Sequence, residues 1–167
     1  MKSLGDGLIS LVGAGLLTAA DFLFGGGELK YTMLTLLIIG TLLDWNSGRR
    51  AATKDGINAS EYGIDGVWRT GQIYLILVFA HWIDKTFLLD NIEIYGMQPQ
   101  GVVFYVFAAA ILLDTIKSVT ANHARLGWDK WIPDWLLKWV ANEIENKIAR
   151  ATKRKKEREE ILNGNYE

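Results

Sequence analysis

Long apolar stretches alternate with polar connections through residue 119 of the chain. They occupy residues 8–24, 31–45, 67–89 and 101–119. A helix needs about 20 residues, each rising about 1.5 Å, to cross a hydrocarbon core, and the stretches are near that length. Residues 102–113 are apolar on every side, which is typical of a helix in a nonpolar surround. The pattern predicts an all-α integral membrane protein with about four transmembrane helices and a C-terminal amphipathic helix.

The first stretch has two further interpretations. Lys2 followed by an apolar run resembles a secretory signal with a small-residue site near Ala20, although Asp6 lies where such signals are basic. Asp21 and the shortness of the run also fit a helix that lies on the membrane surface. In that case three spans remain, and the other segments keep their orientation.

Basic residues predict the orientation. Arg49, Arg50 and Lys54 follow the second stretch, and basic residues crowd the C-terminal tail, whereas residues 25–30 and 90–100 carry little positive charge. Because short cytoplasmic loops are enriched in Lys and Arg, both termini and the connection 46–66 are expected in the cytoplasm. We therefore predict a transmembrane domain over residues 1–120 and a cytoplasmic amphipathic helix with a basic tail over residues 121–167.

Composition limits the chemistry that this chain can perform. Its 167 residues include no cysteine and only two histidines, which lie in separate segments. No zinc-ligand spacing and no glycine-rich phosphate loop ending in Lys-Ser/Thr occurs. We expect no enzymatic activity, no cofactor and no metal. The basic tail is interleaved with Glu157, Glu159 and Glu160, so nucleic acid is not an expected partner.

Motifs in the middle of the chain resemble a known family. Leu43 to Gly48 read Leu-Asp-Trp-Asn-Ser-Gly, which is similar to the "Asp-aromatic-x-Thr/Ser-Gly" signature of the toxin-secretion and phage-lysis holins. A stretch similar to that family's "Lys-x-Gly, Ser-x-x-Gly-x-x-Gly, basic residue" pattern follows, and then an acid late in the next span. The positions that match are Asp44, Trp45, Gly48, Lys54, Gly56, Ser60, Gly63, Gly66, Arg69 and Asp84.

The closing segment of that family is also matched. Asn122, Leu126-Gly127, Pro133 and Leu136 resemble its Asn, Leu-Gly and Pro before an amphipathic helix. The chain departs from the pattern in three ways: Thr70 and Gly71 follow Arg69, Trp128 to Trp131 lengthen the Gly-to-Pro spacing, and the basic tail is long.

The resemblance implies a holin: a virus- or prophage-encoded protein that oligomerises in the bacterial cytoplasmic membrane and permeabilises it. It implies membrane lipids and further copies of the chain as partners, endolysin as an indirect partner, and an antiholin as a further candidate. Relatives linked to toxin export leave the cargo open. The alternatives are a small oligomeric channel or transporter and a membrane adaptor that recruits partners through its C-terminal helix. Leakage separates the three, because a holin lesion passes large solutes.

Two sets of small residues are candidates for helix packing in lipid. Gly13, Gly15 and Ala19 form one such face, and the alanines around Ala109 form another. Small residues let helix backbones approach closely inside a membrane. The alternative is that membrane helices merely tolerate these residues.

Polar residues inside apolar stretches are candidates for function because a charge at the bilayer centre is costly. Asp114 either lines a polar seam or pore in an oligomer, or pairs with Lys117 one turn away. His81, Asp84 and Lys85 share a helix face, which predicts a polar stripe near the outer surface. Its role is either to sense pH or membrane potential or to anchor the helix at the interface. Asp44 is expected to form a salt bridge with Arg49 or Arg50, or to cap a helix.

The C-terminal segment predicts an amphipathic helix that begins after Pro133. An apolar stripe runs through Leu137, Val140, Ile144 and Ile148. The helix can lie on the inner leaflet or form a coiled coil between subunits. The expected membrane-surface residues are Trp135, Trp139, Lys153, Arg154, Lys155 and Lys156, since basic residues are attracted to anionic lipid.

Overall fold

A computed structural model describes residues 2–56, 59–87 and 101–162, with side chains described from residue 7 onward except at 59–65 and 162. Every longer regular element in these ranges is an α-helix, so the predicted all-α class is confirmed. The elements are α1 (Lys2–Phe24), α2 (Glu28–Lys54), α3 (Ala59–Thr86), α4 (Val102–Arg125), a 3₁₀ turn (Asp129–Trp131), α5 (Asp134–Trp139) and α6 (Ala141–Leu162).

Two of these helices are long and apolar enough to cross a membrane. They are Gly7–Phe24 in α1 and Val102–Arg125 in α4. Nothing in the described chain buries the α1 segment, and Leu11, for example, is 72% exposed. An exposed apolar surface of this extent marks a site that a membrane or another protein covers. Helices α2 and α3 are long enough to span a bilayer but are more polar.

The connection predicted at residues 46–66 is mostly helical. Helix α2 runs on to Lys54, and α3 has already begun at Ala59. The predicted boundaries followed hydropathy, which marks where a helix becomes polar and not where its backbone hydrogen bonding stops. Gly56 ends the first of these helices with φ +75°, a left-handed conformation that only glycine adopts without strain.

The described residues fall into two compact units. Unit 1 comprises Met1–Leu36 with Gln72–Ala110, and unit 2 comprises Leu37–Gly71 with Ile111–Glu167. The core of unit 1 includes the buried side chains of Leu34, Leu77, Ala80, Phe104 and Ala108.

Unit 2 has a core of mostly small residues. Its buried apolar side chains are Leu37, Ala51, Ala52, Ala121 and Val140. Small residues allow the second half of α2 to lie close against α4. A Cβ atom added at Gly40 would be 3.0 Å from Cγ2 of Thr115, and one added at Gly48 would be 3.4 Å from Nδ2 of Asn122. The glycine of the Asp-Trp-Asn-Ser-Gly motif therefore lies at a helix contact.

The C-terminal segment forms two helices where the sequence predicted one. Pro133 precedes α5 as expected, because its fixed φ suits the start of a helix. The backbone then leaves helical geometry at Val140, with φ −101° and ψ 6°, and α6 begins at Ala141. Val140 is 1% exposed, so the residue at the break has its side chain buried in the core of unit 2.

Candidate functional site

Asp44 lies at the centre of a polar network in unit 2. One carboxylate oxygen, Oδ1, accepts hydrogen bonds from Oγ of Ser118 at 2.5 Å and from Nδ2 of Asn122 at 3.0 Å. The other, Oδ2, lies 3.6 Å from the guanidinium of Arg69. Ser118 and Asn122 are one turn apart on α4, so both reach the same acceptor. The salt bridge expected with Arg49 or Arg50 is instead made with Arg69, on α3.

The sequence places Asp44 there through ordinary helix periodicity. Ser47 and Ala51 follow it at spacings of three and seven residues, on the same face of α2, and both are buried. Oγ of Ser47 donates to the carbonyl of Asp44 at 3.2 Å and accepts from Nδ2 of Asn122 at 3.3 Å. Asp44 and Ser47 of the motif are thus hydrogen-bonded to each other and to Asn122 of α4.

Lys147 of α6 completes this network. Its Nζ donates to the carbonyl of Ser118 at 3.0 Å, to Oγ of Ser118 at 2.7 Å and to Oδ1 of Asn122 at 2.9 Å. Desolvation by burial lowers the pKa of Lys147 to about 8, against the attraction of Asp44 and Glu143, which raises it. We call Asp44, Arg69, Ser118, Asn122 and Lys147 the Asp44 network. It joins α2, α3, α4 and α6.

Sequence reasoning found Asp44, Arg69 and Asn122 but missed Ser118 and Lys147. A signal for Lys147 was present, because this residue interrupts the apolar stripe of α6 between Ile144 and Ile148. A lysine at such a position needs hydrogen-bond partners on the facing helix. A signal for Ser118 was its spacing of four residues from Asn122.

Two further matched motifs meet at the end of α4. Nζ of Lys54 donates to the carbonyl of Arg125 at 2.9 Å, which satisfies an acceptor that the helix leaves open at its last turn. Gly127 ends α4 with φ +84°, and a Cβ atom there would be 3.6 Å from Nζ of Lys54. The Arg125 guanidinium also pairs with the carboxylate of Asp55. The Lys-x-Gly and Leu-Gly motifs therefore form one contact.

The other matched positions are less informative. Trp45 donates from Nε1 to Oγ1 of Thr70 at 3.1 Å, and a Cβ atom at Gly66 would be 3.8 Å from the same nitrogen. Ser60 and Gly63 lie on α3, where side chains are outside the described part.

Asp84 has a structural role within unit 1. Its buried carboxylate accepts from the main-chain N–H of Val103 at 2.9 Å and of Phe104 at 2.8 Å. These are among the first N–H groups of α4, which lack partners inside the helix and carry partial positive charge. Asp84 therefore caps the start of α4.

His81 is also buried, within 3.3 Å of Nζ of Lys30, itself 2% exposed and 5.4 Å from the ring centroid of Phe104. Of the predicted polar stripe, only Lys85 is exposed, and it lies over the Trp82 ring. The stripe thus points mainly into unit 1.

Asp114 lies on the exposed face of α4, beside the exposed Ala110 and Leu113. Within the described chain no ion pair joins it to Lys117. The Lys117 ammonium instead lies 4.9 Å from the ring centroid of Trp139. In the described subunit, Lys117 therefore contacts Trp139 and not Asp114.

Most small residues of the two helix-packing sets also lack close neighbours among the described residues. A Cβ atom added at Gly13 or Gly15 would meet no described atom within 4 Å, and Ala19 and Ala109 are exposed. Among the predicted membrane-surface residues, Trp135 is 68% and Trp139 44% exposed. The four basic residues 153–156 are exposed as well.

A cavity of about 340 Å³ adjoins the Asp44 network. It is lined by residues of α2, α3, α4 and α6, all within unit 2. Trp45 and Val67 supply apolar surface, and arginines supply much of the charge. In the described part of the chain, no group of three or more His, Cys, Asp or Glu residues could hold a metal ion.

Comparisons with known proteins agree with these motifs. The model of the bacteriophage holin family matches residues 19–143, which include the Asp44 network except for Lys147. The uncharacterized protein BH0965 of Halalkalibacterium halodurans is similar, with 26% identity over 122 residues that cover 73% of this chain and 84% of that relative. No solved structure gives a significant match.

Proposed function

The chain belongs to the bacteriophage holin family, and we propose that it oligomerises in the bacterial cytoplasmic membrane and permeabilises it. The lesion would release endolysin to the cell wall and so lyse the host. The observation that carries this proposal is the exposed carboxylate of Asp114 on an apolar face of a membrane helix.

Asp114 favours association of subunits. Its neighbours on that face include Val106, 62% exposed, and Phe107, 43% exposed. A charge at the centre of a membrane helix costs at least about 2.5 kcal/mol on insertion scales. Oligomers that turn this face of α4 toward a water-filled opening relieve that cost, whereas single subunits bear it.

Helix α1 supplies a second surface for association. Its apolar side chains are exposed over the whole membrane-length segment, and the face at Gly15 and Ala19, one helical turn apart, permits close backbone approach. Gly13 lies on another side of α1, because two residues correspond to about 200° around a helix. Helices α1 and α4 each expose an apolar surface to neighbours, and an assembly larger than a dimer needs more than one such surface.

The proposed topology has four spans with both termini in the cytoplasm. The 27 residues of α2 and the 28 of α3 reach about 40 Å at 1.5 Å per residue, enough to span and extend beyond the lipid. Contacts of Lys54 with α4 and of Lys147 with α4 bring the basic end of α2 and the basic α6 to one end of unit 2. The positive-inside rule assigns that end to the cytoplasm.

Induced expression in bacteria tests the proposal. The protein is expressed with and without a cytoplasmic cell-wall hydrolase that has no export signal, while turbidity and membrane potential are followed. We expect a sudden loss of potential in both cultures and lysis only where the hydrolase is present.

Continued growth, with the protein confirmed in the membrane, would contradict a holin that acts alone. Loss of potential without hydrolase-dependent lysis would instead favour a small oligomeric channel. An adaptor would leave the potential intact. Replacing the hydrolase by a large toxin tests export of that cargo, and co-expressed candidate proteins that delay lysis would identify an antiholin.

A further inference from the structure

The cavity beside the Asp44 network is strongly basic. Five cationic side chains line it against two carboxylates; the cations are Arg49, Arg69, Lys147, Arg150 and Arg154. Both carboxylates already have partners in this unit, since Asp44 lies 3.6 Å from Arg69 and Glu143 lies 3.4 Å from Arg150. Among the described residues that line it, positive charge therefore exceeds negative charge around a cavity of about 340 Å³, which is the size of a small-molecule site.

Lys147 contributes an ammonium group whose direct partners are neutral. It donates to the carbonyl and hydroxyl of Ser118 and to the side-chain oxygen of Asn122. Burial lowers its pKa to about 8, which means that the protein does not fully compensate the charge. An anion bound nearby would supply that compensation and raise the pKa. The titratable groups around it are Asp44, Glu143, Arg69 and Arg125.

The arginines suit one class of anion in particular. A guanidinium presents paired N–H donors that match two oxygens of a phosphate group, a geometry that a single ammonium cannot reproduce. The four lining arginines come from three helices, with Arg49 on α2, Arg69 on α3, and Arg150 and Arg154 on α6. They could contact a phosphate from several sides.

One wall of the cavity is apolar. Trp45 is 37% exposed and Val67 57% exposed, and both lie next to the basic groups. Tryptophan is enriched where membrane meets water, and the cavity adjoins Ser118 and Asn122 on the polar last turns of α4. A ligand with a phosphate group and an apolar body fits both surfaces, and the membrane supplies such ligands in excess.

We propose that this cavity binds the phosphate group of an anionic phospholipid. The bound headgroup would link Arg49 and Arg69 to Arg150 and Arg154, and so hold α6 against the helices that carry the Asp-Trp-Asn-Ser-Gly motif. Lipid composition would then control whether the C-terminal helix stays docked. This site does not depend on pore formation, so its failure and the failure of the holin proposal are separate results.

Binding is tested on the purified full-length protein in a neutral detergent. The probes are short-chain phosphatidylglycerol, short-chain phosphatidylcholine and inorganic phosphate, and bound molecules are counted by native mass spectrometry over a titration. Two adjacent exposed arginines provide a matched pair, because Arg49 lines the cavity and Arg50 does not. Arg154→Gln and Lys153→Gln form a second pair on α6.

We expect the wild-type protein to prefer phosphatidylglycerol to phosphatidylcholine. Arg49→Gln and Arg154→Gln should each weaken phosphatidylglycerol binding about five- to tenfold, because the loss of one charge costs about 1 kcal/mol or slightly more. Arg50→Gln and Lys153→Gln should change the binding less than about twofold, because neither residue lines the cavity. Arg49 contributes no ion pair to the fold among the described residues, so its replacement leaves the Asp44 network intact.

Two other results have definite meanings. In the first, inorganic phosphate binds and Arg49→Gln weakens this binding about five- to tenfold, but phosphatidylglycerol does not bind. This result would support a phosphate site and overturn the lipid as the source of the phosphate. Equal losses in both members of each pair would overturn the site altogether and indicate diffuse attraction to a basic surface.

Discussion

Nδ2 of Asn122 on α4 donates a hydrogen bond of 3.0 Å to the carboxylate of Asp44 on α2, across 78 residues of sequence. Both residues belong to motifs that resemble the holin family, and the contact brings the two motifs together in the fold. Lys147 then attaches α6 to the same asparagine. The hydrogen bonds of Asp44 and Asn122 thus join α2, α4 and α6.

Removing the amide of Asn122 should destabilise unit 2. Asn122→Leu leaves buried oxygens of Asp44 and Ser47 with fewer donors, and Lys147 loses an acceptor. We expect a loss of about 1–3 kcal/mol in the free energy of unfolding. The measurement is unfolding by sodium dodecyl sulfate in mixed micelles, followed by circular dichroism. Asn142→Leu, at an exposed position of α6, is the control, and an equal effect of both would contradict the network.

Titration of Lys147 should be visible near pH 8. Because its pKa in the folded protein is about 8 and its ordinary value 10.5, the unfolded chain binds more protons between these values. Stability of the docked α6 therefore rises as pH increases from about 8 to about 10.5. Competitive acylation of Lys147, read by mass spectrometry, should give a midpoint near pH 8 in the folded protein.

The control for this titration is the same protein unfolded in urea. Its midpoint should move toward 10.5. The variant Lys147→Met should lose the part of the pH dependence of stability that this lysine contributes. A midpoint near 10.5 in the folded protein would show that Lys147 is not buried against α4.

Asp84 should matter for the start of α4. Asp84→Ala removes both acceptors from the main-chain N–H groups of Val103 and Phe104, and we expect a cost of about 1–2 kcal/mol, as for the loss of a helix cap. Asp84→Asn keeps one oxygen and should cost less. Detergent unfolding measures both. If Lys85→Ala, at the exposed neighbouring position, is equally destabilising, the cap is not responsible.

Asp114 should affect the timing of lysis. Asp114→Asn lowers the cost of exposing α4 to lipid by about 2 kcal/mol, so dispersed subunits become more stable relative to the oligomer. We expect later lysis at equal protein level in the culture with hydrolase. Asp134→Asn removes the same charge at an exposed position outside α4. Lysis delayed equally by both substitutions would exclude a specific role of Asp114.

The sequence was most informative where local rules apply. Apolar length predicted the helical class and the positions of α1 and α4, which are long and apolar enough to cross a membrane, and Pro133 predicted the start of α5. The continuation of α2 to Lys54 and the break at Val140 were not predicted, because polar residues can continue a helix and the apolar stripe of the C-terminal segment runs through Val140 without a visible stop.

Contacts between residues distant in sequence could not be predicted from the sequence. For Asp44 the sequence suggested a salt bridge with Arg49 or Arg50 or a helix cap, and pairing with Lys117 was one of two alternatives for Asp114, since sequence shows only residues within a turn or two. The real partners are Arg69 and Asn122 for Asp44, and Trp139 for Lys117, which depend on how helices pack. The family resemblance indicated Asn122, but its contact with Asp44 required the fold.

The most direct test of the central proposal is leakage from liposomes that contain the purified protein. The liposomes enclose a small dye and a fluorescent dextran of the size of a folded enzyme, and both signals are followed after reconstitution. A holin lesion predicts release of the dye and the dextran together. Release of the dye alone, with the dextran retained at the highest protein density, would contradict the holin account and indicate a narrow channel.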